Sequence, residues 1–159
     1  MYFFTADEHF GHRGIIGYCD RPFSSVEEMD REIIRRHNEV IGKKDTVIHV
    51  GDFTLRGSRE AADYALQLNG RHVFLRGSHD AWLPSHAPLF WEETLHGQHI
   101  FACHYAMRSW PKSQYGSWQL HGHSHGRLSP MKGQWDVGVD NNDFRPVSCN
   151  QLRKLLKQS

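Results

Sequence analysis

The sequence predicts an α/β fold with parallel strands in its first half, organised as one domain over residues 1–159. Two patterns predict it. Short apolar, β-branched runs alternate with stretches of helical period, and five of the runs end abruptly among Asp, His and Gly. Strand–helix–strand order makes neighbouring strands parallel, so their carboxyl ends lie along one edge of a sheet. A length of 159 residues is enough for a substantial core.

Tyr2 to Ala6 reads as a buried strand ending at Asp7-Glu8-His9. Phe10-Gly11-His12 follows, and Arg13 to Pro22 reads as an irregular connection. Ser25 with Glu28 three residues on is a capping box. It opens a helix whose Val26, Met29, Ile33, Ile34, His37 and Ile41 keep the helical period as far as Gly42. Thr46 to Val50 is a β-branched strand ending in Gly51-Asp52. A second helix runs from Ser58 to Leu68 and stops at Asn69-Gly70. Arg71 to Leu75 is a third strand, ending in Gly77-Ser78-His79-Asp80. Glu92–Leu95 and His99–Cys103 read as strands around a Gly97-Gln98 turn, the second ending in His104. Tyr105 to Ser117 is a long loop. Ser117 to Leu120 then runs into His121-Gly122-His123-Ser124-His125-Gly126. Trp135 to Val139 is a further strand, Val147-Ser148 starts either a short last strand or the approach to the final helix, and Gln151 to Lys157 is an exposed closing helix.

Composition narrows the function classes. A net charge of +1 gives no large basic or acidic field for nucleic acid or a membrane surface. Cys19, Cys103 and Cys149 are odd in number and scattered, which argues against a disulfide framework or a zinc ribbon and points to a reducing, cytoplasmic compartment. No basic leader and no long apolar run is visible, so neither a signal peptide nor a membrane span is expected. The feature out of line is thirteen histidines, several beside Gly or Asp.

In extended chain, residues two apart point to the same side. His123 and His125 can therefore converge, as can Asp7 and His9 past the first strand. Asp7, His9, Asp52, His104, His123 and His125 form a nitrogen and oxygen donor set without thiolate, suited to Mn, Fe, Zn or Ni. These are more ligands than one structural zinc takes. Two divalent ions about 3.5–4 Å apart, bridged by a carboxylate, account for them better. Such a pair generates hydroxide near neutral pH and clamps a phosphate ester. The acid that protonates the leaving alkoxide should lie close without being a ligand, and His79, with Asp80 beside it, is the candidate.

Asp7-x-His9, Gly51-Asp52, Gly77-Ser78-His79-Asp80, His104 and Gly122-His123-Ser124-His125 together resemble the calcineurin-like metallophosphoesterases. Asp7 to His12, Tyr18 to Phe23, His104 to Trp110, Asp136 to Asp140 and Arg145-Pro146-Val147 look like the small stand-alone bacterial and phage members. The resemblance implies a four-layer α/β sandwich of two mixed sheets flanked by helices, with a dinuclear site at the strand ends. It implies that Asp7, His9 and His125 hold one metal, that Asp52 bridges, that His104 and His123 hold the other, and that His79 faces the leaving group. It implies a hydrolase acting on a phosphomonoester or phosphodiester, with manganese the first choice in vitro. The family's third motif carries Asn where this chain has Ser78, and that Asn ligates the second metal. A hydroxyl is shorter and a poorer ligand, so Ser78 implies a weaker second site. The competing reading is a catalytically impaired relative that binds metal or phosphate.

Arg108, with Trp110, Lys112 and Tyr115 in the long loop, suits the phosphate and base of a nucleotide or nucleic-acid end. His12 is placed at the substrate or behind a ligand. His49 and His121 are read as buried hydrogen-bonding residues, while His37, His72, His86, His96 and His99 are assigned to surface or packing. Cys103 is read as a strand residue, not a nucleophile.

Overall fold

In the computed structural model, which describes residues 1–157, the chain forms two four-stranded mixed sheets. Gln158 and Ser159, the end of the expected domain, lie outside the described residues. The first sheet has the order β3-β2-β1-β8, with β1 Tyr2–Thr5, β2 Thr46–His49, β3 Arg71–Phe74 and β8 Val147–Ser148. The first three are parallel, as their helical crossovers require, and β8 joins β1 antiparallel. The second sheet has the order β4-β5-β6-β7, with β4 Phe90–Leu95, β5 Gln98–Cys103, β6 Trp118–His121 and β7 Gln134–Asp136. Its first pair is an antiparallel hairpin and the other two pairs are parallel.

The hairpin turns on His96-Gly97, one residue before the expected position, since Leu95 pairs with Gln98. Both turn residues have positive φ, the type I′ geometry that matches strand twist.

The two sheets face each other across an apolar layer. Phe4, Ile48, Val50, Ile100, Leu120 and Val137 are buried there. On the other side of the first sheet, α2 (Val26–Val40) and α3 (Ser58–Ala65) cover a second layer containing Phe10, Met29, Ile33, Phe53 and Ala61. Helix α2 begins as expected: Ser25 Oγ accepts from the Glu28 N–H at 3.1 Å. The Glu28 carboxylate reaches Ser24 instead of closing the box on Ser25.

The outer face of the second sheet is covered by the loop that follows His104. Gln119 Nε2 donates to the Tyr105 carbonyl at 3.2 Å, and Gln134 Nε2 donates to the Met107 carbonyl at 2.9 Å. Trp110 is buried and its indole N–H donates to the Ser117 carbonyl.

Three local readings differ from expectation. Arg13–Tyr18 is a short helix, α1, within the stretch read as irregular. The closing helix, α4, spans Cys149–Leu155 with a complete Ser148–Gln151 capping box, and it is not simply exposed: Leu152 and Leu156 join the inter-sheet core. The β7 strand stops at Asp136, and Val139–Asn141 is a 3₁₀ turn.

Candidate metal centre

The carboxyl ends of β1, β2, β5 and β6 gather the expected ligands into two triads. Ligand atoms of Asp7, His9 and His125 lie within 4.8 Å of one another, and so do those of Asp52, His104 and His123. Asp52 stands between them: its Oδ2 is 3.2 Å from His104 Nε2 and 3.7 Å from His9 Nε2. One carboxylate oxygen thus faces both groups.

The local backbone bears the mark of a functional constraint. Asp7, His9, Asp52, His123 and His125 all have φ between 48° and 65°. Asp and His tolerate the left-handed region better than most residues, but each such residue still costs on the order of 1–3 kcal/mol. Five of them within one cluster of side chains mean that the fold offsets this strain to aim donors at a common point. Gly51, at φ +97°, lets β2 end against β5, since a Cβ there would lie 2.5 Å from His104 Nδ1.

Hydrogen bonding leaves the imidazoles ready to ligate. His104 Nδ1 donates to the Val50 carbonyl at 2.9 Å, which leaves the Nε2 lone pair directed at the site. That Nε2 and both ring nitrogens of His9 are buried without hydrogen-bond partners. Burying imidazole nitrogens unpaired is costly, and a bound cation is a partner that fits His104 Nε2 and one ring nitrogen of His9. His125 Nδ1 contacts Asp140 Oδ2 at 2.6 Å. Arg21 grips the same carboxylate through Nε and Nη2 at 2.7 and 2.8 Å, and it donates to the carbonyls of Asp7 and Glu8.

Burial and close neighbours shift the titration of these groups. Burial pushes the Asp7 carboxyl up to about 7 and lowers His9 to about 3. For Asp52, burial acts upward, but His104, the His79 backbone N–H and His9 outweigh it and hold the carboxyl below its ordinary range. Burial also opposes protonation of His104 and His125, yet their partners Asp52 and Asp140 raise both.

The remaining expected residues are placed as follows. His79 stands exposed at the cleft, its ring centroid 5.5 Å from that of His9, and its backbone N–H donates to Asp52 Oδ1 at 2.8 Å. Ser78 Oγ donates to Asp52 Oδ2 at 2.9 Å. His12 borders the same cleft. Two residues lie away from the expected place. Asp80 does not face the cleft with His79. Its buried carboxylate accepts the N–H groups of Asp52, Phe53 and Gly77 and the Trp82 indole N–H. It is a positioning residue that ties the β2 and β3 loops together. Arg108 lines a separate groove with Trp110, Trp118 and Lys132, because its loop turns down across the second sheet.

Sequence reasoning missed Asp140 and Arg21 as site residues, although both lie in stretches already singled out for their resemblance. It also missed a polar chain behind the centre. His49 Nδ1 lies 2.7 Å from Glu8 Oε1, His49 Nε2 lies 3.0 Å from His72 Nδ1, and the ring of His37 packs on both histidines. Burial lowers His37 and His49 to about 3 and His72 to about 4, and it pushes Glu8 up to about 8.

Comparison with known proteins gives concordant results. The family model for calcineurin-like phosphoesterases matches residues 2–158. An uncharacterized protein of Methanocaldococcus jannaschii is 32% identical over 165 aligned positions, spanning 98% of this chain and 91% of that protein. The crystal structure of a protein of unknown function from Aquifex aeolicus superposes with a TM-score of 0.73 at 22% identity, covering 98% of both chains. A Vps29 single mutant from Entamoeba histolytica superposes with a TM-score of 0.50 at 15% identity, over 86% of this chain and 72% of that one. The two structural matches bear on the fold alone.

Proposed function

The chain belongs to the calcineurin-like phosphoesterase family, and from that premise we propose that it hydrolyses a phosphate ester at a centre of two divalent ions. The observation that supports this most is the pair of donor triads meeting at Asp52 Oδ2. In this reading Asp7, His9 and His125 hold one ion, His104 and His123 the other, and Asp52 both. When bound, the ions supply charge to neutralise the phosphate oxygens and to activate a water at neutral pH.

The chain's own residues do the rest. Asp140 and Arg21 fix the His125 ring, and the Val50 carbonyl fixes His104. Asp80 holds the loops of Asp52 and His79 in register. His79, exposed at the mouth and anchored through its backbone to Asp52, is positioned to protonate the leaving oxygen.

The test is hydrolysis of ethyl p-nitrophenyl phosphate and p-nitrophenyl phosphate by protein stripped of metal and reloaded with Mn²⁺. Metal-dependent turnover that falls by about 100-fold or more in His79→Ala, with metal content kept, supports the reading. Turnover that is unchanged in His79→Ala removes the histidine from the mechanism, and absence of turnover with every divalent ion refutes the enzyme. A second reading, a binding relative with weak turnover, has one observation behind it. The Ser78 hydroxyl occupies Asp52 Oδ2 with a hydrogen bond where the family's Asn would supply a ligand.

A further inference from the structure

The cleft in front of the two triads has a volume of about 260 Å³, small for a ligand pocket. One wall is made by residues that the proposed chemistry does not use: His12, Ile15, Tyr18 and Arg127. Tyr18 ends helix α1 and is 70% exposed, although that helix is anchored by buried Ile15. Its ring meets the His12 ring edge to face, with centroids 6.3 Å apart.

A glycine leaves room for this arrangement. A Cβ on Gly14 would lie 3.1 Å from His12 Nε2 and 3.3 Å from Tyr18 Cε2, closer than either ring could tolerate without moving. Gly14 and Tyr18 are four apart and share a helix face. The base of the wall is fixed as well: Asp30 accepts the Gly11 N–H with both oxygens at 3.1 Å, and the Tyr64 hydroxyl donates to it at 2.8 Å. Arg127, just past the histidine run, donates to the Tyr18 carbonyl. Among the described residues it has no carboxylate within ion-pair distance, so its charge is available to a ligand.

We infer that Tyr18 and Arg127 form a nucleoside subsite beside the metal centre, and that the substrate carries an aromatic base next to the reacting phosphate. This rests on the phosphoesterase reading and narrows it to nucleotide esters. An exposed tyrosine face stacks on a base with little conformational cost, and such stacking is tolerant of base identity. The guanidinium suits a second oxygen of the reacting phosphate. The subsite holds one nucleoside, and the remainder of a longer substrate lies outside the cleft.

The test compares two probes that share pentose and phosphate and differ in the base. Adenosine 5′-monophosphate and ribose 5-phosphate are titrated into the Mn²⁺-loaded protein. The wild type should bind the adenosine compound at least about 10-fold more tightly. Tyr18→Ala should reduce that ratio to within about twofold while leaving ribose 5-phosphate affinity unchanged, and Tyr18→Phe should restore it. Arg127→Ala should weaken both probes together. Equal affinity of the wild type for both probes, no binding of either, or a ratio that survives Tyr18→Ala overturns the subsite. Turnover of ethyl p-nitrophenyl phosphate is measured on the same samples. If it persists while the base preference is absent, only the subsite fails; if it is absent with every metal, the phosphoesterase reading fails first.

Discussion

Replacing Asp80 by asparagine separates a positioning role from a catalytic one. The Asp80 side chain is 1% exposed. Oδ2 accepts from Asp52 N at 2.6 Å and Gly77 N at 2.9 Å, while Oδ1 accepts from Phe53 N at 3.0 Å and Trp82 Nε1 at 2.9 Å. An asparagine in the same rotamer offers one accepting oxygen and turns an NH₂ group toward the other two donors. Two charge-assisted hydrogen bonds are lost, each worth about 1.5–3 kcal/mol. The loss should therefore be on the order of 3–6 kcal/mol, a large part of the stability of an ordinary domain. Urea unfolding followed by tryptophan fluorescence should show the midpoint falling by about 1 M or more with the slope unchanged. Activity should fall through misplacement of Asp52, with the pH profile keeping its shape. A variant as stable as wild type within about 0.5 kcal/mol but inactive would refute this reasoning and return Asp80 to the chemistry.

Other predictions address separate parts of the account. Ser78→Asn should raise the metal count per chain at limiting Mn²⁺, measured by elemental analysis after gel filtration; an unchanged count means that Ser78 does not weaken the second site. Asp140→Asn removes the carboxylate that orients His125, and metal affinity by calorimetry should drop about 10- to 100-fold. His37 is buried, and its imidazole is lowered from 6.5 to about 3. Between those two pH values the unfolded chain binds the proton and the native protein does not, so His37 stabilises fully above pH 6.5 and its contribution is lost as pH falls toward 3. The loss is about 1.4 kcal/mol per pH unit. His37→Leu should flatten the fall of Tm between pH 6.5 and 5, and an identical fall in both proteins would show that His37 does not titrate this way.

The gathering of these side chains was legible because each donor follows a short apolar run, and parallel neighbours end on one edge, β1 with β2 in one sheet and β5 with β6 in the other. Helix α2 was legible through Ser25 and its apolar period. Helix α1 was not, since six residues containing Gly14 and Gly17 show no period and His12 makes no side-chain cap. The Asp80 role was hidden because neighbours in a loop need not face the same way: His79 points to the cleft while Asp80 turns inward to four N–H donors. The Arg21–Asp140 pair joins residues 119 apart. The Glu8–His49–His72 chain crosses the loop after β1 and strands β2 and β3, so no spacing within a single element could reveal it. Those contacts exist only once the sheet is assembled.

The central claim is that two triads share Asp52 and hold two ions as a pair. Electron paramagnetic resonance of protein saturated with Mn²⁺, alongside elemental analysis, tests it most directly. The account predicts two manganese ions per chain and the spectrum of a spin-coupled pair, lost in Asp52→Ala. One ion per chain with an uncoupled six-line spectrum, or no bound manganese, would contradict it.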